Sequence, residues 1–174
     1  LKQVDQTDRE LYTKAKLLVA DILAKELDSD SAIQTYQNII TTSPEFARDC
    51  YFKMAKTYKG MSDYPHALNA HQEALKSDRG SSSIENVELQ FSIADTYEFL
   101  NQNQMAVENY LKIPYLYAKN IPWVVKAYLR VARIFEDEEK WEDAVTIYNK
   151  IIALDTEESK FAQERLEVIN ENKN

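Results

Sequence analysis

Small apolar residues recur along the chain at nearly constant intervals. The first series of alanines has successive separations of 35, 39 and 38 residues: Ala20, Ala55, Ala94 and Ala132. A second series keeps these separations and follows the first by 12 residues: Ala32, Ala67, Ala106 and Ala144. Four residues after each alanine of the second series stands a residue with a ring side chain: Tyr36, His71, Tyr110 and Tyr148. Seven residues after each of these alanines stands an apolar residue: Ile39, Ala74, Ile113 and Ile151. Offsets of four and seven share one helix face, so each unit is predicted to be a pair of amphipathic helices.

The pattern predicts four helix pairs followed by one more helix. The predicted helices span 8–26 and 30–42, 44–59 and 63–77, 83–100 and 103–113, 122–138 and 141–154, and 157–171. Ser29 and Ser62 are predicted to cap the second helices of the first two pairs, and Ser82 with Glu85 to form a capping box. The repeats then cover about 8–43, 44–82, 83–121 and 122–156 of a single domain over 1–174. The helix at 157–171 is predicted to cap the array with a polar outer face.

Two-helix units with small and aromatic residues in this order resemble the tetratricopeptide repeat. The best-matching copy carries Tyr128, Val131, Ala132, Phe135, Trp141, Ala144, Tyr148 and Ile151. The copy from Tyr51 to Asp78 matches nearly as well, although His71 replaces the frequent tyrosine of the second helix. The resemblance covers about residues 8–156 and implies an all-α, right-handed superhelical solenoid of four repeats. It also implies a concave surface lined by the first helix of each pair, which binds another protein or a peptide.

The composition of the chain argues against several classes of fold and function. Only 2 Gly and 4 Pro occur among 174 residues, which disfavours an all-β fold because tight turns between strands use these residues. The net charge of −8 lacks the basic footprint of a nucleic-acid-binding protein, so no nucleic-acid partner is expected. No uncharged stretch approaches the ~20 apolar residues of a membrane-spanning helix, so direct membrane insertion is not expected either.

Residues suited to catalysis or metal binding are sparse. The two histidines, His66 and His71, stand five residues apart and so diverge around a helix. Cys50 is the only cysteine and has no histidine in a catalytic pattern near it, and two isolated glycines cannot form a phosphate-binding loop. We therefore expect no enzyme activity, catalytic residue, cofactor or metal site.

Two rows of residues on the first helices form the candidate partner-binding groove. Three residues before each first alanine the residue is apolar: Leu17, Phe52, Phe91 and Leu129. One residue after it the charge alternates: Asp21, Lys56, Asp95 and Arg133. The apolar row is either packing between neighbouring helices or the floor of a peptide site. The charged row is either a partner contact or a set of lateral ion pairs, Asp21 with Lys56 and Asp95 with Arg133. In either use, Asp21 is expected to disfavour a peptide's terminal carboxylate.

The segment between repeats three and four is irregular. Pro114 is predicted to end or kink the second helix of repeat three, since it cannot donate to the Tyr110 carbonyl. Tyr115, Tyr117 and Trp123 then form a candidate aromatic junction, which either buries this connection or offers an exposed contact for a partner.

The sequence thus favours a non-catalytic protein-interaction scaffold that binds a protein or peptide in its groove. Self-association is the alternative, because Leu1 at the start suggests a processed or excised chain and an open solenoid end can associate. A helical-scaffold enzyme is a remote alternative. Slightly long, tyrosine-rich repeats resemble those of bacterial periplasmic and envelope proteins, a weak indication of that compartment over the cytoplasm.

Overall fold

The computed structural model describes residues 2–77 and 83–172, and every regular element over these residues is helical. The α-helices are α1 (Lys2–Lys25), α2 (Ser29–Thr42), α3 (Ala47–Gly60), α4 (Tyr64–Lys76), α5 (Ser83–Phe99), α6 (Asn103–Leu116), α7 (Ile121–Asp137), α8 (Trp141–Ile152) and α9 (Glu158–Asn172). A short 3₁₀ turn, Pro44–Phe46, precedes α3. The fold is an all-α helical-repeat solenoid, which confirms the predicted class.

The helices form two compact units. Unit 1 is residues 1–81 with α1 to α4, and unit 2 is residues 82–174 with α5 to α9. Within each unit every helix packs against its neighbours in the chain, and the first helices of successive pairs also touch, α1 with α3 and α5 with α7. Each unit has an apolar core of its own. Unit 1 corresponds to predicted repeats one and two, and unit 2 to repeats three and four with the last helix.

The alanine series mark where the two helices of a pair approach closely. All eight alanines of the two series are fully buried. The rings of the second helices, Tyr36, His71, Tyr110 and Tyr148, are buried beside them, as are Ile39, Ala74, Ile113 and Ile151. Since alanine has no side chain beyond Cβ, two helix axes can approach there while the large ring fills the adjacent space. This packing makes the alanine spacing a reliable predictor of the helix pairs.

The turn inside each helix pair repeats one backbone geometry. A residue other than glycine takes a positive φ at each turn, at the spacing of the alanine series: Leu27, Ser62, Asn101 and Glu139. The amide of the following residue then donates to a carbonyl five residues earlier, as from Asp28 to Leu23 at 3.0 Å and from Lys140 to Phe135 at 2.8 Å. These are the long hydrogen bonds of Schellman motifs, which satisfy carbonyl groups at the end of a helix.

Helix caps differ from the prediction in unit 1. The side chains of Asp28 and Asp63, not those of Ser29 and Ser62, cap α2 and α4, and each accepts a backbone N–H at 3.3 Å. The serine prediction is wrong because Ser62 occupies the left-handed position of the turn and Ser29 already lies inside α2. The predicted capping box of Ser82 and Glu85 lies outside the described residues.

Three helix ends also differ from the prediction by three residues or more. α3 begins at Ala47, because the predicted first turn at 44–46 is 3₁₀ rather than α-helical. α1 begins at Lys2 rather than near residue 8. α6 passes through Pro114 and ends at Leu116, so the predicted end at 113 is wrong. Pro114 lies in the last turn, where its missing N–H removes one hydrogen bond, and the Tyr117 amide still donates to the Ile113 carbonyl at 2.8 Å. One lost bond at the end of a helix does not stop the helix there.

Candidate functional site

The apolar residues of the candidate groove lie on the first helix of each pair, and all four are half-buried: Leu17 on α1, Phe52 on α3, Phe91 on α5 and Leu129 on α7. Leu17 packs against the core of unit 1, and Phe91 and Leu129 pack against the core of unit 2. A half-buried side chain can pack on one side and present its other side to a partner. The partner-binding role of this row therefore remains a prediction.

In unit 1 the charged residues of the groove have well-defined contacts. Asp21 accepts a hydrogen bond from Lys53 Nζ at 2.7 Å and another from the Tyr36 hydroxyl at 2.7 Å. Its carboxylate is therefore neutralised by a lysine that sequence reasoning did not select. Lys56 Nζ lies 4.3 Å from the centre of the Phe52 ring, so these two groove residues contact each other through a cation–π interaction.

In unit 2 the ion pair is shifted along the helix relative to the expectation. Asp95 accepts from Arg130 at 3.0 Å rather than from Arg133, whose Nε lies 3.8 Å from Asp137 on the same helix. Asp95 directly follows the alanine of α5, and Arg130 lies two residues before the corresponding alanine of α7. The contact between Asp21 on α1 and Lys53 on α3 joins the same two positions. Neighbouring first helices are therefore offset by about one turn. This offset leaves Arg133 exposed on the surface of α7.

A tyrosine, a carboxylate and a cation meet in three of the repeats. We call these groups tyrosine clusters; they are Tyr36–Asp21–Lys53, Tyr110–Glu98–Arg130 and Tyr148–Glu136–Arg165. In each cluster the buried tyrosine comes from the second helix, the carboxylate from the first helix of the same pair, and the cation from the helix that follows. Burial raises the pKa of Tyr148 to about 12, and its hydrogen bond to Glu136 acts in the same direction. The clusters tie successive helix pairs together inside a unit.

Repeat two has a different arrangement. His71 replaces the tyrosine and is fully buried, with neither ring nitrogen hydrogen-bonded. Its ring lies 5.8 Å from that of Phe52, and the positions that hold carboxylates elsewhere carry Lys56 and Lys59. Burial lowers the pKa of His71 to about 3, and the charges of the two lysines lower it as well. The imidazole is therefore neutral at physiological pH.

A pocket of about 470 Å³ opens on unit 1 between α1, α2 and α3. Its charged lining comes from Asp21, Lys25, Lys53 and Lys56, and we call it the lysine pocket; Ser29, Tyr36 and Thr57 are the other polar residues that line it. It brings together two predicted groove residues, Asp21 and Lys56, whereas Leu17 and Phe52 do not line it. Sequence reasoning missed Lys25 and Lys53. The available signal was the cation two residues before the alanine, which recurs as Arg130 in repeat four.

In unit 2 a groove residue and a junction residue come together. The Phe91 ring lies 5.3 Å from that of Trp123 and 5.0 Å from that of Tyr110. Lys126 Nζ lies 4.7 Å from the centres of both Phe91 and Trp123. These contacts give Phe91 and Trp123 a packing role, with Lys126 covering their outer side.

The two tyrosines of the junction differ from each other. Tyr117 is half-buried and packs against the core of unit 2. Tyr115 is 85% exposed, beside the exposed Leu116 at the end of α6. Tyr117 thus helps to bury the connection, while Tyr115 leaves an aromatic ring at the surface.

Chemically reactive groups are few in the described part of the chain. Cys50 is buried, and burial raises the pKa of its thiol to about 12. Among residues 2–77 and 83–172, no three histidine, cysteine or acidic side chains are grouped so that they could hold a metal ion. None of the helices described there is both long and apolar enough to cross a membrane.

Comparison with known proteins agrees with the repeat pattern. Residues 87–120 and 126–155 each match a family model described as a tetratricopeptide repeat. No curated protein sequence matches the chain. The matches do not support a location in the bacterial envelope.

Several solved structures share the fold at low sequence identity. A tetratricopeptide repeat protein from Parabacteroides merdae is 12% identical, with 92% of this chain and 60% of that chain aligned and a TM-score of 0.72. MamA from Desulfovibrio magneticus is 14% identical over 92% and 85% of the two chains, with a TM-score of 0.68. YrrB, described as a TPR protein with an unusual peptide-binding site, is 15% identical over 80% and 67%, with a TM-score of 0.59.

Proposed function

The chain belongs to the tetratricopeptide-repeat family, and on this premise we propose that it is a non-catalytic scaffold whose unit 1 binds a peptide segment of a partner protein in the lysine pocket. The observation that carries the proposal is the placement of Lys25, Lys53 and Lys56 around one opening on the surface of the first helices. YrrB, which has a similar fold, is itself described as having a peptide-binding site.

The charge of the lysine pocket indicates the chemistry of the peptide. Three lysines line it against one carboxylate, Asp21, which already accepts hydrogen bonds from Lys53 and Tyr36. Asp21 is expected to disfavour a carboxylate, and its contact with Lys53 reduces that repulsion, which supports binding of an acidic side chain beside it. Lys25 and Lys56 are exposed at the rim. On a chain with a net charge of −8, this local positive charge favours an acidic side chain of the partner.

The half-buried groove residues give the peptide an apolar surface to contact. Phe52 lies under the Lys56 ammonium, so a peptide that binds Lys56 also comes close to an aromatic ring. An acidic residue followed by an apolar one therefore matches this part of unit 1. In unit 2, the exposed Tyr115 is a second candidate contact, because a tyrosine provides apolar area and a hydroxyl together.

Fluorescence anisotropy with two labelled peptides tests this function. One peptide alternates glutamate with leucine, and the other carries lysine in place of each glutamate. We expect the acidic peptide to bind more tightly, and to bind more weakly as salt is added, because exposed charges are screened. Replacing Lys25 and Lys56 together by glutamate should weaken binding of the acidic peptide at least about tenfold, or about 1.4 kcal/mol.

The control variant is Lys76→Glu, which reverses an exposed lysine on α4 outside the pocket. It changes the total charge in the same direction and should leave the affinity within about twofold, since exposed pairs contribute little. Equal binding of the two peptides, or an effect of Lys76→Glu as large as that of the pocket variant, would refute the proposal.

A further inference from the structure

One side of α1 exposes a row of large apolar side chains. Leu11, Tyr12, Leu18, Val19 and Ile22 are between 53% and 67% exposed. Thr13 and Ala20, on the opposite side of α1, are buried against the rest of unit 1. A contiguous apolar row of this kind on a helix is typical of a surface that another molecule covers.

The spacing of the row is that of a coiled-coil seam. Leu11, Ala15, Leu18 and Ile22 follow one another at intervals of four, three and four residues. These are the a and d positions of a heptad, which place apolar side chains along one line facing a partner helix. We call Leu11, Ala15, Leu18 and Ile22 the α1 seam.

The corresponding positions in later repeats have a different composition. In α3 they include the buried Cys50 and Thr57, which pack inside unit 1. Two residues before the alanine, α3 has Lys53, the cation of a tyrosine cluster, whereas α1 has Leu18. A leucine cannot complete a tyrosine cluster with a preceding repeat. The α1 seam therefore lacks the residue that joins one repeat to the next, and its pattern suits a helix-to-helix contact instead.

The charged residues beside the seam favour a second copy of α1 as the partner helix, in the antiparallel orientation. In an antiparallel pair of α1 helices, Leu11 of one copy lies opposite Ile22 of the second copy, and Ala15 lies opposite Leu18. The same register places Asp8 opposite Lys25 of the second copy. Each of these contacts occurs twice, because the pair has a two-fold axis. A parallel pair would instead place Asp8 against Asp8 and Lys25 against Lys25, which repel.

We propose that the α1 seam is a homodimer interface, in which two copies of the chain pair their α1 helices antiparallel. The interface uses one helix face from each copy, which is at the small end of the range for specific complexes. We therefore expect a reversible dimer with a dissociation constant on the order of micromolar. The four residues of the α1 seam lie outside the lysine pocket, and only the flanking Lys25 is shared, so a change at Leu18 and Ile22 tests the dimer without altering a pocket residue.

Sedimentation velocity of the full chain over a range of concentrations tests the dimer. We expect a concentration-dependent shift from monomer to dimer, and a monomer at every concentration for the double variant Leu18→Glu with Ile22→Glu. Circular dichroism should show unchanged helix content in this variant, because both side chains are exposed. A wild-type chain that stays monomeric, or a variant that still forms dimers, would contradict the proposal.

Charge exchange tests the direction of pairing. Asp8→Lys and Lys25→Asp should each weaken the dimer at least about threefold, and the chain with both changes should recover the wild-type affinity. The two residues are about 25 Å apart along one helix, so recovery can come only from contacts between copies. Failure of the double exchange to restore dimers would rule out the antiparallel register.

Cross-linking tests the register directly. Mixing Leu11→Cys chains with Ile22→Cys chains should give disulfide-linked dimers, whereas Leu11→Cys alone should give few. Cys50 is buried and should not interfere. Strong cross-linking of Leu11→Cys with itself would indicate parallel pairing and overturn the model of an antiparallel dimer.

Discussion

The buried imidazole of His71 should make the stability of unit 1 depend on pH, and His71→Phe should remove this dependence. The ring is fully buried, its two nitrogens have no hydrogen-bond partner, and the charged side chains that act on it are Lys56 and Lys59. A phenyl ring has nearly the same shape and leaves no buried polar atom unpaired. At pH about 7 we therefore expect the variant to be at least as stable as the wild type.

The size of the effect follows from the difference between the folded and unfolded states. The pKa of His71 is about 3 in the folded chain, against an ordinary value of 6.5. Below pH 6.5 the His71 side chain is protonated in the unfolded chain but stays neutral in the folded chain. The free energy of unfolding therefore decreases as the pH falls from 6.5 towards 3. At pH about 5 the wild type should have lost about 2 kcal/mol that His71→Phe retains.

Urea denaturation at pH about 7 and about 5, followed by far-ultraviolet circular dichroism, measures this difference. Tryptophan fluorescence would not serve, because Trp123 and Trp141 both lie in unit 2. The matched control is His66→Gln, which removes the other histidine, an exposed one paired with Asp63. This control should keep the loss of stability between the two pH values. The reasoning is refuted if His71→Phe loses as much stability as the wild type between those pH values.

Three further outcomes follow from single features of the fold. Leu27→Gly should raise the free energy of unfolding in urea by about 0.5–1 kcal/mol, because Leu27 has a positive φ and its side chain is 88% exposed. Asn101→Gly should change it less, because asparagine tolerates a positive φ better than leucine does. Cys50 should not react with a thiol reagent at neutral pH until the chain is denatured, because its thiol is buried and its pKa is about 12. Arg165→Met should cost about 1–3 kcal/mol in tryptophan-monitored unfolding, and Arg165→Lys less, because the Glu136 carboxylate loses a two-point ion pair.

The helix pairs could be predicted from the sequence because the packing that produces them is periodic. Each contact between paired helices needs a small residue, and alanine meets this need in every repeat. Because the same steric requirement recurs in each repeat, alanine recurs at the same position in the sequence, and four copies make the pattern easy to detect. The end of α6 was mispredicted for the opposite reason: Pro114 is one residue in one turn, and its effect depends on how much helix follows it.

The polar contacts could not be predicted equally well, since they depend on distances between helices rather than on spacing along the chain. Pairing Asp95 with Arg133 assumed that neighbouring first helices lie level with each other. An offset of about one turn transfers the contact to Arg130. The spacing of the alanines contains no information on this offset, and its sign in the sequence was the recurring cation two residues before the alanine, Lys53 and Arg130. The residue types of the predicted pair were therefore right and the partner was wrong.

The tyrosine clusters also decide which groove residues remain for a partner. Asp21 and Lys53 hold each other in one cluster, and Asp95 shares Arg130 with another. A side chain that is already in an ion pair contributes little binding free energy to a partner, because the existing pair has to be broken before the new contact can form. The more exposed groove cations, Lys56 on α3 and Arg133 on α7, are held less firmly, since contacts between exposed charges contribute little, and they are the groove charges best placed to recognise a partner. Partner recognition should therefore depend on these exposed cations more than on the half-buried pairs, which hold the helices in position.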